Sequence, residues 1–184
     1  MSKKIEFLDI LDENGSPTGE SKKREDVHKL GLWHRTVHLW VLNSKGQLLI
    51  QQRSKTKDTN PNLWDISVAG HIEKGQTPIE AVIREAEEEI GLVCKESEVE
   101  YLFSVQNIFI DPHTAVQDFE FQDVFILKAD LEINKLKCQV EEVQALAWVH
   151  WAELERFYEE GDPKLVTHPE EFPLLFNRLS LELD

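Results

Sequence analysis

The sequence predicts a mixed α/β sandwich. Strand-like segments outnumber helical ones, and the helices fall between strands without a regular βαβ rhythm, which argues against a doubly wound sheet. The best-specified helix carries a single apolar stripe, as a helix does when it buries one face on a sheet. A chain of 184 residues suits one domain with a sizeable core, or one domain with short extensions.

Residues 3–11, KKIEFLDIL, read as a strand, and the cluster DENGSPTG as a turn in which Asn14-Gly15 is a hairpin signal. SKKREDVHKLGL reads as a short helix ending near Gly31. Residues 33–42, WHRTVHLWVL, form a strand that Asn43 to Gly46 turns into QLLIQQRS, a β-hairpin. After the polar loop KTKDTNPN, residues 64–69, WDISVA, read as one short strand leading into Gly70. Residues 77–90 form a helix: Thr77 is the N-cap, Pro78 takes the first helical position, and Glu80 completes a Thr-x-x-Glu capping box. Ile79, Val82, Ile83, Ala86 and Ile90 make its stripe, and Gly91 suits the C-cap. Strands follow over roughly 99–110 and 119–128, then VQALAWVHW, a helix from AELERFYEEG, and a terminal helix over 170–181.

Composition is that of a globular protein, 41% hydrophobic and 30% charged. No apolar run approaches the ~20 residues that span a bilayer, so no membrane association is expected. The start, MSKKIEFLDILDENG, lacks the apolar segment and cleavage site of a signal peptide. Cys94 and Cys138 form no CxxC pair, and a reduced cytoplasmic protein with structural cysteines is the default. A formal net charge of −15 disfavours binding to duplex nucleic acid. A small anionic substrate stays open, because bound cations invert the local field.

The chemistry concentrates in residues 70–92, GHIEKGQTPIEAVIREAEEEIGL. Glu85, Glu88 and Glu89 stand at i, i+3 and i+4 and fall within ~100° of one another, away from the apolar stripe. Like charges so placed destabilise a helix unless a cation sits among them, and an all-oxygen site favours Mg²⁺, Mn²⁺ or Ca²⁺ over zinc. A solvated acidic face is the alternative, and Glu80 and Glu87 fit it.

The full spacing resembles the Nudix box: Gly70, five residues, position 76, seven residues, then Arg84-Glu85-Ala86-Glu87-Glu88-Glu89-Ile90-Gly91-Leu92. Only Gln76 departs, where the family has Glu. The resemblance implies an α/β/α sandwich over 32–165, with residues 1–31 as an N-terminal extension and 166–184 as a C-terminal helix. It implies Mg²⁺- or Mn²⁺-dependent hydrolysis of a diphosphate joined to another group. Carried over by position, Glu85, Glu88 and Glu89 would be metal carboxylates, with Glu85 also a candidate general base. Gly70 would offer its carbonyl, and Arg84 would orient Glu85.

A second resemblance covers the flanks. His34-Arg-Thr-Val-His-Leu-Trp40, the run from Asn43 to Arg53, Asn62-Leu-Trp64-Asp65 and Ala69-Gly70-His71 are similar to the isopentenyl diphosphate isomerase branch. That branch has a catalytic cysteine where this chain has Ala69, and alanine handles no proton. His28, His34 and His71 resemble the isomerase's metal histidines in placement; polar residues at a cleft rim are the plainer reading. Glu120 is a candidate metal ligand or base, with Asp118 and Asp123 as rivals. Arg53 and Lys55, after a strand, are candidates for holding substrate phosphate. The expected partner is a small-molecule diphosphate, and residues 1–31 would shape the pocket or a homodimer interface.

Overall fold

The computed structural model describes residues 5–57, 59–110 and 116–183. Positions 3 and 4 of the expected first strand lie outside these. The elements are β1 (Phe7–Leu11), β2 (Pro17–Lys23), α1 (Arg24–Leu30), β3 (Trp33–Leu42), β4 (Gln47–Arg53), β5 (Trp64–Asp65), β6 (Val68–His71), α2 (Pro78–Ile90), β7 (Val99–Ile110), β8 (Gln117–Lys128), β9 (Val143–His150), α3 (Trp151–Glu160) and α4 (Phe172–Leu183).

Two elements differ from expectation. Ser21 to Lys23 belong to a strand, and the helix begins only at Arg24. The Asp12 carboxylate accepts the backbone N–H groups of Asn14 (2.9 Å) and Ser16 (2.8 Å), closing a turn. Residues 17–23 then pair antiparallel with β1, which satisfies a polar stretch that has no apolar stripe to bury. The second difference is WDISVA, which is two strands. Trp64 and Asp65 pair with β4, whereas residues 68–71 pair with β3. Ser67 stitches the crossing: its hydroxyl donates to the Leu49 carbonyl (2.6 Å) and accepts the Val41 N–H (2.9 Å).

The main sheet runs β5-β4-β3-β8-β7, with β6 also on β3 and β9 also on β4. β3 and β8 are parallel along the whole of β3, and the other pairs are antiparallel, so the sheet is mixed. Helix α2 covers one face. Its Ala81, Val82, Ala86 and Ile90 pack with Val37, Leu39, Val41, Phe125 and Leu127. The capping box forms as expected: Thr77 accepts the Glu80 N–H and the Glu80 carboxylate accepts the Thr77 N–H. Helix α4 covers the other face with Phe172, Leu175, Phe176 and Leu179 against Trp40, Leu42, Val124 and Ile126, and Leu154 of α3 joins them. The result is an α/β/α sandwich.

Alternation along a strand sends successive side chains to opposite faces. His34, Thr36 and His38 therefore share the α4 face with Trp40, and Asp118, Glu120 and Gln122 share it with Val124. The N-terminal hairpin is sewn to the loop before α2: Lys74 N–H donates to the Phe7 carbonyl (2.7 Å) and Gly75 N–H to the Asp9 carboxylate (2.9 Å). Among the described residues no helix is long and apolar enough to cross a membrane.

Phe172 is fully buried between α4, Trp40 and Tyr158. Phe172→Ala should lower unfolding free energy by roughly 3–5 kcal/mol in a denaturant titration; a loss below about 1 kcal/mol would show that α4 is not part of the cooperative core.

Candidate functional site

Strand β6 and helix α2 meet at Gly70. A Cβ there would come within 2.1 Å of Glu85 Cδ, so only glycine admits the Glu85 carboxyl at this place. Arg84 holds the group together. Its Nη1 lies 2.9 Å from Glu85 Oε1 and 2.9 Å from Glu88 Oε2. Its Nη2 donates to the His71 carbonyl (2.9 Å) and to Gln76 Oε1 (3.3 Å). Gln76 Oε1 also accepts the Glu73 N–H (3.2 Å), so the amide links Arg84 to the loop without a charge. Glu89 is buried and accepts Gln51 Nε2 (3.2 Å) and the Ala69 N–H (3.4 Å). Glu88 is half exposed, Glu80 serves the cap, and Glu87 is exposed.

Burial pushes Glu85 up to about 7, against the pull of Arg84. Burial and then repulsion from Glu85 push Glu89 up to about 8. Burial thus favours the protonated form of both carboxyls, and a cation could take the place of those protons. The donor set is all oxygen, which suits a hard divalent ion, but Arg84 lies between Glu85 and Glu88, and the three carboxylates are not among the sets of described residues whose ligand atoms all lie within 4.8 Å of one another.

A second cluster occupies the α4 face. His28, delivered by α1, lies 3.1 Å from His71 (Nε2 to Nε2), and the His34 and His71 rings stack at 5.3 Å. His34 Nδ1 donates to the Leu32 carbonyl (3.0 Å), which leaves Nε2 as the acceptor in the neutral ring. That Nε2 lies 3.4 Å from Asp118 Oδ1 and 3.7 Å from Glu120 Oε1. Both His34 Nε2 and Asp118 Oδ1 are buried without a hydrogen-bond partner. Buried polar atoms are rarely left so, and facing acceptors require a proton or a cation between them. Burial lowers His28 to about 4 and takes His71 well down, so both are neutral and able to ligate. Burial also opposes charge on His34, but its contacts with Glu120 raise it overall. Glu120 is drawn down by His34 despite burial, while burial and Glu120 drive Asp118 up.

The structure thus divides the sequence-predicted residues. Gly70, Arg84, Glu85, Glu88 and Glu89 come together on the α2 side of β6. Glu120 sits apart from them, joined to His34 and Asp118 across the β3–β8 register. Asp123, a rival to Glu120, is held bidentately by Arg35 (2.8 and 2.9 Å). Arg53 is bound to Asp65 (3.1 Å) and to the Thr59 carbonyl (3.0 Å), bracing the loop after β4. Lys55 is exposed in a turn. Lys57, which sequence reasoning missed, is the loop cation whose field reaches both Glu89 and His71, and it pairs with Glu142. KTK offered two lysines in one polar loop and no periodicity to choose between them.

The chain matches the NUDIX domain over residues 32–168. It belongs to the Nudix family. It is 36% identical over 166 residues to Nudix hydrolase 3 of Arabidopsis thaliana, spanning 89% of this chain but only 22% of that protein. An uncharacterized Nudix hydrolase of Clostridium acetobutylicum is 38% identical over 156 residues, 83% of this chain and 73% of the relative. Isopentenyl-diphosphate isomerases are also among its relatives, at 32% and 30% identity. The crystal structure of a Deinococcus radiodurans protein shares the fold, with a TM-score of 0.68 at 24% identity over 95% of this chain and 99% of that one.

The raised carboxyls of this Nudix site make a pH prediction. Their contribution to stability is fully present below about pH 4.5, the ordinary carboxyl value, and is lost as pH rises through about 7 and 8. In chelator, the melting temperature should fall between about pH 4.5 and 8 and level off above, and Glu89→Gln should flatten that fall. An unchanged slope in the variant would contradict the assignment.

Proposed function

We propose that this chain is a Mg²⁺- or Mn²⁺-dependent hydrolase of the phosphoanhydride bond in an organic diphosphate of nucleoside-diphosphate or related type. The observation that carries this reading is the partly buried Glu85 carboxyl set against Gly70 and held with Glu88 by Arg84, with Glu89 buried one turn on. Glu85, Glu88, Glu89 and the Gly70 carbonyl would hold the ion. When bound, the ion supplies charge neutralisation at the diphosphate and Lewis acidity. Arg84 fixes the Glu85 carboxyl in place. Glu85 would accept the proton of an attacking water. Lys55, exposed in the loop, and Lys57, whose field reaches Glu89 although it pairs with Glu142, would meet substrate phosphate, whereas Arg53 is committed to Asp65 and Thr59.

The −15 charge and the grouped carboxylates favour a small diphosphate over duplex nucleic acid. In this reading 32–165 is the hydrolase domain of a cytoplasmic enzyme. Residues 1–31 then contribute His28 and 166–184 supply the terminal helix.

A second reading has its own observation. His28, His34 and His71, and likewise His34, Asp118 and Glu120, each bring potential ligand atoms within 4.8 Å of one another, two sets sharing His34 in the placement that resembles the isomerase branch. Ala69 stands against the isomerase activity itself, since a methyl group transfers no proton. We therefore expect the isomerase scaffold with hydrolase chemistry.

Nucleoside diphosphates, isopentenyl diphosphate and ADP-ribose, which a related Nudix domain from Shewanella oneidensis binds in its solved complex, form the test panel with Mg²⁺ or Mn²⁺. Phosphate or nucleotide release is expected, and double-bond migration in isopentenyl diphosphate is not. Glu89→Gln should cut kcat by roughly a hundredfold or more with native circular dichroism. Near-wild-type turnover of that variant at saturating Mg²⁺ would sink the reading.

A further inference from the structure

A third group of ionisable side chains lies under α4, used by neither cluster above. His38 Nδ1 is 2.6 Å from Glu171 Oε2, and Trp40 Nε1 donates to Glu171 Oε1 (2.6 Å). His168 Nε2 is 2.8 Å from Asp65 Oδ1. Asp65 is itself fixed by Arg53 (3.1 Å) and by the Ile66 N–H (2.8 Å). The two imidazole rings meet edge to face at 5.2 Å. Glu171 is fully buried, and the His38 and His168 side chains are 5% and 14% exposed.

As fastenings for α4 these groups are costly, because apolar residues of similar volume commonly hold a helix as well or better than a buried ion pair. Their arrangement has a second character. Each imidazole has one nitrogen fixed by a buried carboxylate, and the other, His38 Nε2 and His168 Nδ1, makes no hydrogen bond among the described residues. Asp65 gives His168 the support that metal-ligating histidines carry, a carboxylate behind the ring that orients its free nitrogen. Glu171 stands at His38 Nδ1, so these two would ligate through Oε2 and Nδ1, an ion taking the place of the proton between them. Potential ligand atoms of His38, His168 and Glu171 all lie within 4.8 Å of one another.

We propose that His38, His168 and Glu171 form a separate binding site for a divalent first-row transition metal ion. Two imidazoles and a carboxylate suit the Mn²⁺-to-Zn²⁺ series and leave coordination positions open. Asp65, Arg53 and Trp40 orient the ligands. The site is distinct from the His28–His34–His71 cluster: His38 is four residues beyond His34 on the same strand face, roughly 13 Å along it. It requires no substrate and stands independently of the hydrolase reading.

The test counts metal. The full chain, stripped with chelator and dialysed against Co²⁺ or Zn²⁺, is assayed by mass spectrometry for bound ion and by the visible Co²⁺ spectrum. His168→Ala should lose one equivalent relative to the wild type, His71→Ala a different one, and the double variant both. His168→Gln, which can keep a hydrogen bond to Asp65, gives a second variant with an intact fold. Asp65→Asn should weaken the same equivalent by roughly 10- to 100-fold. In the unsubstituted chain, bound Co²⁺ should broaden the His168 ring resonances. Retention of every equivalent in folded His168→Ala or His168→Gln, or unperturbed His168 resonances at Co²⁺ saturation, would overturn the proposal.

Discussion

Everything chemical in this molecule is arranged around a four-residue strand, Val68–His71. Its period-two alternation is what separates the sites. Gly70 turns toward α2 and receives the Glu85 carboxyl where a Cβ would sit. Ala69 and His71 turn the other way, toward Trp40 and the imidazoles. The strand can do this only because it pairs with β3 at positions 36–39, which sets His71 opposite Thr36, two residues from His34 on the same face. A one-residue slip would exchange the two faces and place the imidazole of His71 against Glu85.

That register is secured from several directions. Arg84 bonds the His71 carbonyl from α2, the Glu89 carboxyl takes the Ala69 N–H, and Ser67 joins β3 and β4 just before the strand begins. Gln76 enters the same network, accepting from Arg84 and from the Glu73 backbone. A neutral amide is enough for this role because both partners are donors. The missing charge at 76 therefore leaves the architecture of the loop in place.

Much of this was legible in the sequence, and the reasons are local. Helix α2 carries its own cap, stripe and terminal glycine, so its limits and buried face follow from residues 77–91 alone. The grouping of Glu85, Glu88 and Glu89 is helical geometry. What escaped reading depends on partners distant in the chain. The split of WDISVA arises because β4 claims its first half and β3 its second. The separation of Glu120 from the box glutamates needs the parity of β3 and β8 relative to two different helices. Lys57 could not be preferred to Lys55 within an aperiodic loop. Arg53 could not be seen to be occupied before Asp65 and Thr59 were placed beside it. The buried His38–Glu171 contact spans 133 positions and has no local signature.

The energetic consequence of placing so many carboxyls inside is that the fold is tuned to cations and protons together. Glu85 and Glu89 are neutralised by protons when no ion is present, because burial disfavours their charged forms. The same burial that raises the cost of ionisation strengthens their hold on a divalent cation, since the competing attraction of water is reduced. Under the proposed reading, proton release and metal uptake would be one linked equilibrium at this site, with affinity for metal rising with pH through the range in which these groups titrate. The second cluster reaches readiness by the opposite route. There burial keeps His28 and His71 neutral, which is already their ligating form, while Asp118 retains a proton beside an unpartnered imidazole nitrogen. The same desolvation thus acts on two groups back to back across one strand, on acids on one side and largely on bases on the other.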